Sequence, residues 1–169
     1  MMDRREAELG ACAFTGHRRI KPSHKADREK LISRAVEYAY GRGVRRFYAG
    51  GALGFDTLAA RQVILFRMSH PDVSLHLILP CADQCDGWSD ADRDSYGFIL
   101  SRADSSELLT EKYEKGCMKA RNARLVELAD MLIAYADGAR SFSGSMQTVR
   151  MAKRKGIEVY NLYPTLDKG

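Results

Sequence analysis

The order of apolar and amphipathic segments predicts an α/β fold, a single domain in which a mostly parallel sheet carries helices on both faces. Three observations predict it. Strand-like and helix-like stretches alternate along the chain. The strands are apolar throughout rather than at every second position, as a sheet buried on both faces requires. No Pro/Gly/Ser-rich linker divides the 169 residues, about one domain's length.

A polar tail over 1–10 precedes the domain, which is expected over 11–169. "ACAFTG" (11–16) reads as a buried strand ending in a glycine turn. In the next segment Leu31, Ile32, Ala35, Val36 and Ala39 recur at helical spacing, with Gly41 and Gly43 as stops. "RRFYAGG" predicts a second strand, "FDTLAARQVILFRM" a helix, and "SLHLILP" a third strand ended by Pro80. "CADQCDGWSDAD" (81–92) is the least regular stretch and the expected mobile loop. "SDADRDSYGFILSRAD" then reads as a helix, "SELLT" as a short strand and "MKARNARLVELAD" as a helix. "MLIAYA" (131–136) is a continuous apolar strand, "GSMQTVRMAKRKG" a helix and "EVYNLY" the last strand.

Composition narrows the function classes. Hydrophobic residues make up 45% of the chain and charged residues 29%, which is globular rather than disordered. A net charge of +5 favours anionic ligands without the lysine-rich stripes of dedicated nucleic-acid binders. No apolar run reaches the roughly 18 residues of a membrane span, and "MMDRREAELG" carries charges where a signal peptide needs an apolar segment, so a cytoplasmic protein is expected. Cys12, Cys81, Cys85 and Cys117 are expected to be reduced, and with the four histidines they form no zinc spacing, so no metal is expected. There is no G-x-S-x-G, and no cysteine lies near a base in the sequence. The basic run "KRKG" (153–156) ends a helix, where cations complement the macrodipole.

In a doubly wound sheet, ligands bind at the carboxyl ends of strands, where helix N-termini present backbone N–H groups to an anion. Three turns fall at such places. "TGHRR" offers Thr15, Gly16, His17 and Arg18, a guanidinium for phosphate and an imidazole that can donate or shuttle a proton. "GGALGFD" offers Gly50, Gly51 and Ala52 for close approach, Gly54 for tight helix entry, and Asp56 as a helix cap or an acceptor for ribose hydroxyls. It is neither G-x-G-x-x-G nor a P-loop. "SFSGS" places Ser143, Gly144 and Ser145 at a helix start, suited to an anion or to an ordinary cap. Arg121 and Asn122, early on their helix, can reach the same crevice. Trp88, the only tryptophan, is a candidate base-stacking platform or a core filler.

"TGHRR", "GGALGFD", Trp88 followed by Tyr96, "KARNARLVELADMLIAYADG" and "SGSMQTVRMAKRKGIEVY" together resemble the YpsA branch of the SLOG superfamily. That superfamily groups the Smf/DprA DNA-processing proteins with the lonely-guy-type nucleoside-monophosphate phosphoribohydrolases. The match runs from about Cys12 to about Tyr160. The resemblance implies a Rossmann-like fold with a nucleotide or nucleotide-derived ligand, such as ADP-ribose or an NAD-like molecule, at the glycine loops, with no further cofactor required. It also implies a homo-oligomer, a dimer being the commonest form. The phosphoribohydrolase pattern is a P-G-G-x-G-T turn followed by a glutamate on the next helix. Here the turn is "SFSGSMQT" and no acidic residue lies between Gly144 and Gly156, Arg150 standing near the glutamate's place.

Three functions follow from this reading. The first is a nucleotide-binding sensor or regulator. The second is an N-glycosidic hydrolase of nucleoside monophosphates, with Asp56 as its acid or base. The third is a single-stranded DNA binder, as in the DNA-processing branch.

Overall fold

A computed structural model describes residues 9–168. Six strands form one sheet: β1 (Ala11–Gly16), β2 (Arg46–Ala49), β3 (Ser74–Cys81), β4 (Ser105–Thr110), β5 (Met131–Tyr135) and β6 (Glu158–Asn161). They are joined by α1 (Arg28–Gly41), α2 (Phe55–Ser69), α3 (Asp90–Arg102), α4 (Cys117–Leu128) and α5 (Gly144–Lys155), with α6 (Tyr163–Asp167) last and a 3-10 turn at Pro22–His24. The strand order is β4-β3-β2-β1-β5-β6 and all five pairings are parallel. The chain winds outward from β1 through β2, β3 and β4, then crosses to the other side for β5 and β6. The order therefore reverses between β1 and β5, the crevice where such sheets bind ligands.

Alternation along the strands builds two cores. Cys12, Phe14, Met131, Ile133 and Tyr135 point to the face covered by α1, α2 and α3, where they meet Ile32, Val36, Ala59, Val63 and Ile99. Ala13, Leu132 and Ala134 point the other way, against Leu125 and Val126 of α4 and Val149 and Ala152 of α5. Small side chains on that second face let α4 and α5 sit close to the sheet. Lys155 donates to the carbonyls of Val126, Glu127 and Ala129 at 2.9, 2.9 and 2.7 Å. The basic end of α5 thus caps the C-terminus of α4 as well as complementing its own dipole.

Four local readings change. Pro80 lies within β3 rather than ending it. Pairing with β2 stops at Leu77, so Pro80's missing N–H costs no bond on that side, and Cys81 still pairs with Thr110 of β4. The last strand stops at Asn161, and Tyr163 opens the helix α6 with Pro164 behind it in the first turn. The stretch 81–92 is tied down at several points. The Tyr113 amide donates to Asp83 at 3.0 Å, Gln84 donates to the Tyr96 hydroxyl at 3.2 Å, and Trp88 packs edge-on to Tyr96. Of the expected tail, 1–8 lie outside the described residues, whereas Leu9 packs on the core and the Gly10 amide donates to Asp130 at 2.9 Å.

Candidate functional site

At the β1/β5 switch point lies a cavity of ≈ 400 Å³. Its lining comes from four places in the sequence. The β1 end supplies Thr15, Gly16, His17 and Arg18; the loop into α2 supplies Ala52 and the first turn of α2 Asp56; the first turns of α4 supply Arg121 and Asn122; the start of α5 supplies Ser143, Gly144 and Ser145. Eleven of the fifteen residues singled out in the sequence meet here. All of these elements leave the sheet at its carboxyl edge, which is why segments over 120 residues apart converge.

The helix start is preorganised. Ser143 has extended φ and ψ and its Oγ accepts from the Met146 amide at 3.2 Å, an N-cap. The amides of Gly144 and Ser145 stand in the first turn at the positive end of the helix dipole, beside the cavity. A Cβ built on Gly144 would meet only the Asn122 amide nitrogen, at 3.7 Å, so this end of the cavity is open.

His17 is 6% exposed and acts as a brace. Its Nε2 accepts from the Asp137 amide at 2.8 Å, which places the ring proton on Nδ1. Its own amide donates to Tyr135 O at 3.2 Å and its carbonyl accepts from the Phe55 amide at 3.2 Å. Burial, then the nearby Arg140 charge, holds its pKa below the ordinary value, so the ring stays neutral. With Nε2 committed to the backbone, His17 ties the end of β1 to the 137–143 loop.

Asp56 is 5% exposed. Oδ2 accepts from the Ala52 amide at 3.3 Å, and buried Oδ1 has no partner among the described residues. Burial pushes its pKa up to about 6, against the opposing pull of the Arg121 charge and the Ala52 hydrogen bond. Arg121 is also buried. Its Nη1 donates to Gly50 O at 2.6 Å and its Nε to Asn122 Oδ1 at 2.8 Å. Its guanidinium therefore serves as a clamp between α4 and the loop after β2, with a face left toward the cavity.

Of the glycines of "GGALGFD", Gly54 makes the tight helix entry expected of it, whereas Gly50 and Gly51 approach protein atoms rather than a ligand. Gly50 does not have positive φ, and a Cβ there would strike the Arg121 guanidinium and come within 2.9 Å of Asp56 Oδ2. Gly51 (φ +71°) faces Leu79, Gln84 and Tyr96 rather than the cavity. Gly54 (φ +79°) lets the backbone pass against the Arg18 carbonyl, locking the first two loops together, and it lines a second, larger cavity. The close approach that these glycines permit is to protein atoms, and Ala52 and Asp56 carry the loop's contribution to the smaller cavity.

Trp88 lines neither cavity. Half-buried on Tyr96, it fills the core. Sequence reasoning missed Arg19 and Arg140, which line both cavities. The available signal was a cation three residues before the N-cap serine of a glycine-serine turn.

The YpsA family, described as the YspA SLOG family, matches residues 13–164. The chain belongs to this family. A UPF0398 protein of Bacillus thuringiensis (strain Al Hakam) is 33% identical over 138 residues, covering 80% of this chain and 74% of that one. A UPF0398 protein of Bacillus cereus (strain Q1) gives the same figures. Among solved structures, DNA processing protein A from Helicobacter pylori, described for its single-stranded DNA binding mode, superposes with a TM-score of 0.62 at 24% identity. The alignment covers 90% of this chain but spans only 64% of that one, a likeness of fold. Among the described residues of this YpsA-family chain, no helix is long and apolar enough to cross a membrane.

Proposed function

We propose that this YpsA-family protein binds a nucleotide or nucleotide derivative and acts as a cytoplasmic sensor or regulator. The observation that carries the reading is the cavity at the switch point. There the capped start of α5, Arg18, Arg19 and Arg140 face one space, and the buried Asp56 offers an unpartnered acceptor. A phosphate suits the helix amides and guanidiniums, and the Asp56 carboxylate in the cavity wall suits a ribose hydroxyl or base N–H. A volume of ≈ 400 Å³ is that of a small-molecule site.

Calorimetric titration with AMP, ADP-ribose and NAD tests the reading. Binding is expected in the wild type, and Gly144→Asp is expected to abolish it. The new side chain has open space, and its carboxylate suits a helix start, so the fold is kept while the anion is repelled. No binding across the panel sinks the proposal.

Asp56 favours a second reading, hydrolysis of an N-glycosidic bond. A carboxyl that holds its proton to about pH 6 can protonate a departing base while water adds to the ribose carbon, breaking C–N and forming C–O, and the carboxylate left behind takes up the proton that the water sheds. Among the described residues α5 has no glutamate, so Asp56 is the carboxylate this cavity offers. Release of free base from nucleoside monophosphates, lost in Asp56→Asn with binding retained, is the expected sign of that activity. Single-stranded DNA is the third candidate, prompted by the solved relative and the exposed Arg18, Arg19 and Arg140. Gel shifts with no complex at low salt exclude it.

A further inference from the structure

The larger cavity, ≈ 770 Å³, lies across the ridge of His17, Arg18 and Arg19 from the smaller one. It is walled by the loop after β1, the first half of α2, the start of α3 and the loop after β5. Of the fifteen residues singled out in the sequence, only His17, Arg18 and Gly54 line it.

Charge sets it apart. Seven cationic side chains line it against two carboxylates, Asp92 and Asp137. Two of the seven are committed elsewhere, Lys21 to Asp167 at 2.7 Å and Arg28 to Glu29 at 2.9 Å. Arg18, Arg19, Lys25, Arg61 and Arg140 have no carboxylate within ion-pair distance among the described residues. Like charges converging on a concavity repel one another and focus a positive field into it, a cost that an occupant of opposite sign removes.

The wall is also built rather than incidental. The Tyr135 hydroxyl accepts from the Lys21 amide at 3.1 Å and bonds His24 Nδ1 at 2.7 Å, and His24 Nε2 reaches Asp167 at 3.1 Å. This chain of bonds ties the cation-bearing loop to the end of β5 and to α6. Arg61 is steadied by the Ser95 hydroxyl at 3.1 Å.

His17, Arg18, Arg19 and Arg140 line both cavities, so a molecule seated at the start of α5 can continue over the ridge without leaving cationic surroundings. We propose that the larger cavity is a second anion site, which receives the outer phosphate and the group beyond it of an extended, pyrophosphate-linked nucleotide. This rests on the reading of the smaller cavity given above. The ligand class is then a nucleoside diphosphate bearing a further sugar or nucleoside rather than a mononucleotide.

Lys25 and Arg61 are exposed and line only the larger cavity, so Lys25→Glu/Arg61→Glu reverses its charge and leaves the smaller one intact. The wild type and this variant are titrated calorimetrically with AMP, ADP-ribose and inorganic tripolyphosphate at one salt concentration. The wild type is expected to bind ADP-ribose at least about tenfold more tightly than AMP, and the variant to lose that advantage with its AMP affinity changed by less than about twofold. Tripolyphosphate binding is expected to fall by about tenfold in the variant. Equal wild-type affinities for AMP and ADP-ribose, or an advantage that survives the variant, overturn the proposal. If neither nucleotide binds but tripolyphosphate binds and is lost in the variant, the second anion site stands and the nucleotide reading falls. If none of the three binds, both fall.

Discussion

Replacing Asp56 by asparagine isolates the cost of the carboxylate at the switch point. The side chain is buried, one oxygen has a single amide donor and the other has none among the described residues. Its pKa rises from an ordinary 3.8 to about 6 on folding. A raised carboxyl pKa means that the folded state holds the proton more tightly than the unfolded chain. Stability therefore falls as pH climbs through the window from about 4 to about 6, and is recovered on acidification. Two units correspond to roughly 3 kcal/mol in all, most of it expressed between about pH 4 and pH 7. Asparagine can still accept from the Ala52 amide but does not titrate there. Urea unfolding of both proteins across that range gives the difference in stability, in which the other ionisations largely cancel. The wild type is expected to lose about 2–3 kcal/mol relative to Asp56→Asn from pH 4 to pH 7. A flat difference, or one that grows in the wild type's favour, refutes the assignment of a strained, buried carboxyl.

Gly54→Ala should destabilise by at least about 2 kcal/mol, because a left-handed φ and the Arg18 carbonyl both oppose a Cβ; a thermal melt within a degree of wild type contradicts this. Arg121→Met removes the clamp on the Gly50 carbonyl and leaves Asp56 without its nearest cation, and should cost about 3 kcal/mol in urea unfolding. Ser143→Ala should cost about 1 kcal/mol by loss of the cap and also weaken AMP binding in calorimetry, whereas loss of stability alone would detach the cap from the ligand site. Trp88→Ala should lower stability by about 2 kcal/mol while leaving nucleotide affinity unchanged, since the ring packs on Tyr96 away from both cavities; a large drop in affinity would restore it as a stacking platform.

Legibility followed the range of the interactions involved. Helices such as α1 and α2 were readable because 3.6-residue periodicity and glycine stops act within one segment, and the observed bounds differ from the expected ones by a residue or two. Continuous apolar runs at 11–16 and 131–136 marked strands buried on both faces, and these became the neighbours β1 and β5, both interior to the sheet. The last strand was drawn two residues too far, to Tyr163, because the apolar Leu162 and Tyr163 continue the pattern of "EVYNLY", and the short helix α6 behind it went unread. Contacts from Lys21 and His24, over 140 residues earlier, reach Asp167 at the end of that helix.

By itself, the sequence determined the fold class, the three polar turns at strand ends and the residue types available to hold an anion, because these depend on local pattern. Only the tertiary structure decided how those residues are used. Gly50 seats Arg121, Gly54 seats the Arg18 backbone, and His17 braces a loop. Arg19, Lys25, Arg61 and Arg140 share one concavity. The physical reason is that close approach and charge convergence depend on neighbours distant in sequence, and the crossover from β4, which lays β5 beside β1, brings those neighbours together.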